Sequence, residues 1–151
     1  ARRYWTALFA SNTFRRDPDA QDQNRLLNYG YAVLRAIVAR AICAAGLHPS
    51  LGLHHHNKYN PFCLADDLME PFRPVVDRIV AQFVEERGFE ADLDQTARRE
   101  MLSSLTGRCE CDGESRTLFD AASRVASSLV EVFQGQGRDI ALPQRVHHAA
   151  T

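Results

Sequence analysis

The stretch that most constrains the fold runs from about Asp22 to Ala45. Leu27, Tyr31, Leu34, Val38, Ala41, Ile42 and Ala45 recur along it at helical spacing, as one apolar stripe of an α-helix requires. Gly46 follows where a glycine ends a helix. So few of its residues are polar that neighbouring elements must cover it on several sides. The expectation is an all-α fold, a compact multi-helix domain built around this central helix, residues 22–45. Arg35 and Arg40 lie inside the helix, and each needs a partner, because a buried unpaired guanidinium is expensive. The same two arginines interrupt the apolar run Tyr29 to Leu47, which therefore reads as a buried helix rather than a membrane span.

The other elements follow from periodicity and punctuation. Residues 1 to 16 read as the end of a helix and a loop, with Tyr4, Trp5, Leu8, Phe9 and Phe14 apolar among four arginines. Asp17-Pro18-Asp19 is turn chemistry, and Asp19 or Asp22 can cap the central helix. Val75, Val76, Ile79, Val80 and Phe83 form the stripe of a helix from Phe72 to Arg87, closed by Gly88. Further helices are expected over Thr96 to Leu105 and Ser115 to Gln134, separated by a polar turn region, Gly107 to Glu114. Cys109 and Cys111 within it fit one strand-like face, and a single C-x-C pair is a weak zinc signal. The tail through Pro143, His147 and His148 is expected to lack order.

At 151 residues the chain suits one domain, 1–151. A formal net charge of −1 gives no general argument for a nucleic-acid partner. The charge is uneven, however. Residues 1–78 carry ten Lys/Arg against seven Asp/Glu, net +3, and residues 79–151 carry eight against twelve, net −4. Four scattered cysteines and no cleavable leader point to a reducing cytoplasm. The opening Arg2-Arg3-Tyr4-Trp5 reads as the middle of an element, so the chain is expected to be a fragment of a larger protein.

Chemistry concentrates in residues 53–74. His54, His55 and His56 lie in a loop that runs into a short helix carrying Asp66, Asp67 and Glu70. Asp67 and Glu70 stand three apart and project to one side of a helical turn. Two adjacent carboxylates repel unless a cation or a proton intervenes. A divalent ion with one imidazole from the loop would make a mixed N/O site suited to manganese or magnesium. The plainer alternative is that the acids sit in the first turn of a helix, where negative charge is favourable. Consecutive histidines point in different directions, so the three cannot serve one ion.

Gly52-Leu53-His54-His55 followed by Leu64-Ala65-Asp66-Asp67-Leu68-Met69-Glu70-Pro71-Phe72-Arg73-Pro74 resembles the CRISPR-associated integrase of spacer acquisition, the Cas1 family, in its type II form. Asn24-Arg25-Leu26-Leu27-Asn28-Tyr29-Gly30-Tyr31 and Arg2-Arg3-Tyr4-Trp5 extend the likeness over the first half of the chain. The resemblance implies a helical catalytic domain preceded by a small β-rich N-terminal domain, which is expected to lie outside this chain. It implies Mg2+ or Mn2+ held by His55 and Glu70 with Asp67 assisting, and a first glutamate ligand a few residues before Ala1. It also implies transesterification, in which captured DNA fragments (spacers) are joined to the repeat array, with related endonuclease activity. A homodimer of the full-length protein and a small Cas2 partner follow from the same likeness. Lys58, Arg73, Arg15 and Arg16 become candidate DNA-phosphate contacts. Without its upstream ligand the fragment is expected to have little activity alone. A non-catalytic helical interaction module and another metal-dependent phosphodiesterase are the competing readings.

Overall fold

A computed structural model describes residues 2–11, 13–89 and 91–148. Helix α1, Arg2–Phe9, leads into a loop, and α2, Asn24–Ala44, is the longest element, at 21 residues. Asp22 accepts the Asn24 backbone N–H at 2.9 Å, as expected of an acidic residue at this end, although the capping position itself is Gln23. At the other end Leu47 N–H donates to the Ile42 carbonyl and Gly46 N–H to that of Cys43. Gly46 has φ 80°, a left-handed conformation that closes a helix cheaply only with glycine.

Four helices pack against α2: α3, Cys63–Met69; α4, Arg73–Arg87; α5, Gln95–Thr106; and α6, Leu118–Phe133. Its length and composition would suit a membrane span, yet Leu26, Leu27, Leu34 and Ile42 are fully enclosed by these partners. A single 3-10 turn, Glu70–Phe72, joins α3 to α4. Pro71 explains it, since proline cannot supply the N–H that would continue the α-helix. Neither central arginine is buried, so the cost that called for partners is small, although each has one. Arg35 pairs with Asp66 of α3, and Arg40 lies over the Phe119 ring of α6.

The second half adds a sheet that periodicity did not indicate. Strands β1, Arg108–Cys111, and β2, Glu114–Thr117, form an antiparallel hairpin. Its turn residues Asp112 and Gly113 have φ of 52° and 83°, the two-residue geometry that Asp-Gly favours. β2 therefore takes Ser115 out of the last helix, which begins at Leu118 behind a capping box made by Thr117 and Asp120. The tail is also ordered where disorder was expected, since Val146–His148 forms β3 on the open edge of β1. Asp112 draws it in by accepting the N–H groups of Gln144 and Arg145, and Val146 is buried. Cys109 and Cys111 alternate inward from β1 into the core, and burial raises both thiol pKa values.

Candidate metal and phosphodiester site

Residues 48 to 62 form a loop without regular structure, and α3 organises it. Leu64 N–H donates to the Pro49 carbonyl at 2.7 Å, which pins the start of the loop against the first turn of α3. Gly52 then passes so close that a Cβ there would lie 2.2 Å from the His55 carbonyl oxygen and 2.8 Å from Cys63 Cβ. Only glycine fits this crossing.

Asp67 holds the histidine segment from below. Its carboxylate accepts the backbone N–H groups of Leu53 at 2.7 Å and His54 at 2.9 Å, and that of His55 at 3.2 Å. It also bonds His55 Nδ1. Burial works to raise the Asp67 pKa, but the donors from His54, the His55 ring, Leu53 and the His55 backbone together hold it below the usual carboxylate range. An ionised carboxylate only accepts, so His55 Nδ1 is the donor of that bond, and in the neutral ring the lone pair is on Nε2. The His55 side chain is about half exposed. It therefore presents one oriented nitrogen donor at the surface.

The other two histidines are not held by α3. His54 meets the His55 ring edge-on, and His56 Nδ1 turns back to the His54 carbonyl. One imidazole in three is thus oriented by α3. Asp66, one residue before Asp67, faces another way: Oδ1 takes Arg35 Nε at 2.7 Å and Oδ2 takes Asn60 Nδ2 at 2.8 Å.

Glu70 follows Met69, the last residue of α3, and begins the 3-10 turn. It is exposed and pairs with Arg73 at 3.1 Å through Oε1. Arg73 also lies over the Tyr31 ring, 5.1 Å from its centre, and Arg16 lies 5.5 Å from the same centre. Arg16 is committed further, donating to Asn24 Oδ1 at 2.9 Å and Asn28 Oδ1 at 2.6 Å. Lys58 is exposed on the loop with its ammonium 4.8 Å from the Tyr59 ring centre. Arg15 is exposed on the segment before α2.

The donor set is compatible with a hard divalent cation, with one imidazole nitrogen and one surface carboxylate. Among the described residues no three His, Cys, Asp or Glu side chains converge on one point. His55 and Glu70 alone would leave such an ion short of protein ligands.

Residues 2–108 match the sequence profile of the family described as CRISPR associated protein Cas1. The chain belongs to the Cas1 family. It is similar to the CRISPR-associated endonuclease Cas1 of Neisseria meningitidis, with 34% identity over 142 residues covering 93% of this chain and 46% of that relative. A Cas1 endonuclease of Archaeoglobus fulgidus is 36% identical over 118 residues, 71% of this chain and 33% of its own length. The chain thus spans about half or less of these curated relatives. A solved structure described as a casposase bound to integration product superimposes with a TM-score of 0.66 and 26% identity, over 82% of this chain and 41% of that one. The Cas1 profile takes in α1 to α5 and every residue of the site, and ends at the first residue of β1.

Proposed function

We propose that residues 1–151 are the helical catalytic part of a metal-dependent DNA integrase and endonuclease of CRISPR adaptation. The observation that carries this is the His55 imidazole fixed through Nδ1 by Asp67, on the helix that Glu70 follows. Membership of the Cas1 family, the endonuclease relatives and the casposase structure with its integration product support it.

In this reading His55 Nε2 and the Glu70 carboxylate would hold Mg2+ or Mn2+, together with the upstream glutamate that the resemblance implies. The ion, when bound, neutralises charge that builds on the phosphoryl oxygens. The rest is work for the chain itself. Asp67 acts behind His55, fixing its tautomer and the ring's direction through the loop backbone. Arg73 balances Glu70 and can share a phosphate, while the exposed Lys58 and Arg15 hold the DNA backbone without reading its sequence, and Arg16, already donating to Asn24 and Asn28, has less to offer it.

The reaction is a transesterification. A new P–O bond forms to the 3′ oxygen of the captured fragment, and the array strand's own P–O3′ bond breaks. The proton lost by the attacking hydroxyl is matched by one gained at the leaving 3′ oxygen. The partners are spacer DNA and the repeat array, a second copy of the full-length protein and a small Cas2 protein, in the cytoplasm.

In the full-length protein, His55→Ala and Glu70→Ala should each abolish manganese-dependent strand transfer while the melting temperature stays close to that of the parent. Full activity in both variants would sink the proposal. One observation favours a second reading, a non-catalytic helical module: no three ligating side chains converge among the described residues. Calorimetric titration of the full-length protein with manganese decides between them, since the module predicts no binding that His55→Ala removes.

A further inference from the structure

Arg35 of α2 is half-exposed and is held at one side. It contacts Asp66 through Nε, at 2.7 Å to Oδ1. The other carboxylate oxygen accepts Asn60 Nδ2 at 2.8 Å, and among the described residues the guanidinium meets Asp66 through Nε alone rather than by the two-pronged pairing that guanidinium and carboxylate prefer. The Phe62 ring lies under the guanidinium, 5.9 Å from Cζ to its centre. Asp66 is buried, but the Arg35 side chain is 43% exposed. The result is a guanidinium oriented by a carboxylate and an aromatic ring, with its Nη1/Nη2 edge turned away from its anchor.

Its position is informative. Asp66 neighbours Asp67, the residue that orients His55, and stands four residues before Glu70, which begins the 3-10 turn after α3. On α2, Arg35 stands one turn after Tyr31, which carries Arg73 on its ring. Two cationic steps therefore lie along α2, one turn or about 5.4 Å apart, the second carried by Arg73 of α4 and Glu70 of the 3-10 turn. Arg35–Asp66 is one step and Arg73–Glu70 the other. An arginine serving only to neutralise Asp66 would use its fork on that carboxylate, whereas among the described residues only Nε bonds it. A planar fork matches a phosphodiester's two non-bridging oxygens.

We infer that Arg35 is a phosphate-binding residue, its Nη edge gripping a backbone phosphate of the DNA strand that enters the His55/Glu70 site. This rests on the nucleic-acid reading of that site. Asp66 and Asn60 are then positioning residues for Arg35, and their local geometry exists to aim it.

Removing Arg35 alone would strand a buried carboxylate, so the informative variant is the double amide, Arg35→Gln with Asp66→Asn. Fluorescence anisotropy of labelled DNA on the full-length protein, over a series of salt concentrations, gives the slope of log affinity against log salt. The slope should fall by about one, equally for two unrelated sequences. Arg40→Gln, whose guanidinium sits on Phe119 of α6, should keep the parent's slope. An unchanged slope in the double variant overturns the role of Arg35. A parent with no salt-dependent DNA affinity overturns the nucleic-acid reading itself, and this role with it. Arg35→Lys, which keeps the ion pair but loses the fork, gives an independent measure with DNAs neutralised at single phosphates by methylphosphonate. One linkage should cost the parent more affinity than it costs Arg35→Lys, and equal costs at every linkage overturn the proposal.

Discussion

At the scale of single residues, the site depends on close approach as much as on charge. Asp67 can collect three backbone N–H groups and an imidazole because the chain crosses over α3 at Gly52 with no side chain in the way. An alanine Cβ would meet a backbone oxygen at 2.2 Å and also stand 3.1 Å from Asp67 Oδ2, and the backbone oxygen cannot swing aside as a flexible side chain would. Gly52→Ala should therefore destabilise the fold by about 1–3 kcal/mol, the usual cost of overpacking, and should shift the His55 ring resonances. Parental urea midpoints and unchanged ring signals would show that the loop yields freely. The family motif placed His55, Asp67 and Glu70 in one stretch of sequence. It could not show that Asp67 spends its oxygens on loop N–H groups and Nδ1, because those bonds exist only once residues 48 to 62 have folded back onto α3. The commitment of Arg16 to Asn24 and Asn28 was hidden for the same reason.

At the scale of elements, α2 is read easily because one 21-residue pattern carries the same message throughout. Gly30 in the middle of it is the exception, since glycine weakens a helix. The structure supplies the reason: a Cβ at Gly30 would lie 2.5 Å from Val76 Cγ1 of α4 and 3.3 Å from Met101 Cε of α5. Gly30→Ala sets a gain in helix propensity of about 1 kcal/mol against overpacking of about 1–3 kcal/mol. Because two helices would have to retreat, the packing cost should win, and chemical denaturation should show a net loss. A stabilised variant would mean that Val76 can turn away. The sheet was harder to read. β1 and β2 have four residues each and β3 has three, too few for alternation to stand out from noise. The signals present are Asp112-Gly113, a hairpin turn pair, and the strand-like face of Cys109 and Cys111, but neither marks a second strand over Glu114–Thr117. β3 had no local signal at all, since its partner lies more than thirty residues away and Asp112 supplies the attachment.

At the scale of the whole molecule, one buried acid ties three helices together. Asp77 of α4 accepts the hydroxyl of Tyr4 from α1 at 2.6 Å and that of Tyr31 from α2. Burial raises its pKa, and the two hydroxyls with the Arg73 and Arg16 charges only partly offset this, so the net direction is upward. Burial likewise raises both tyrosine pKa values, and both tyrosines remain protonated donors. The consequence for stability has a definite sign. The folded state holds the Asp77 proton more tightly than the unfolded chain, whose aspartate titrates near pH ~3.9. The contribution is therefore greatest below that pH and is lost as pH rises through the higher folded pKa. Asn in its place keeps an oxygen for one tyrosine and an amide for the other, and has no charge to desolvate. Urea unfolding from pH ~4 to ~7 should then show Asp77→Asn gaining on the parent as pH rises, because titrations elsewhere cancel between the two proteins. A constant difference across that range would mean that Asp77 ionises in the folded protein as readily as in the unfolded one. The α1–α2–α4 junction would then be held by an ordinary charged acceptor. A difference that narrows with pH would mean that Arg16 and Arg73 overcome burial and that the junction is an ion cluster.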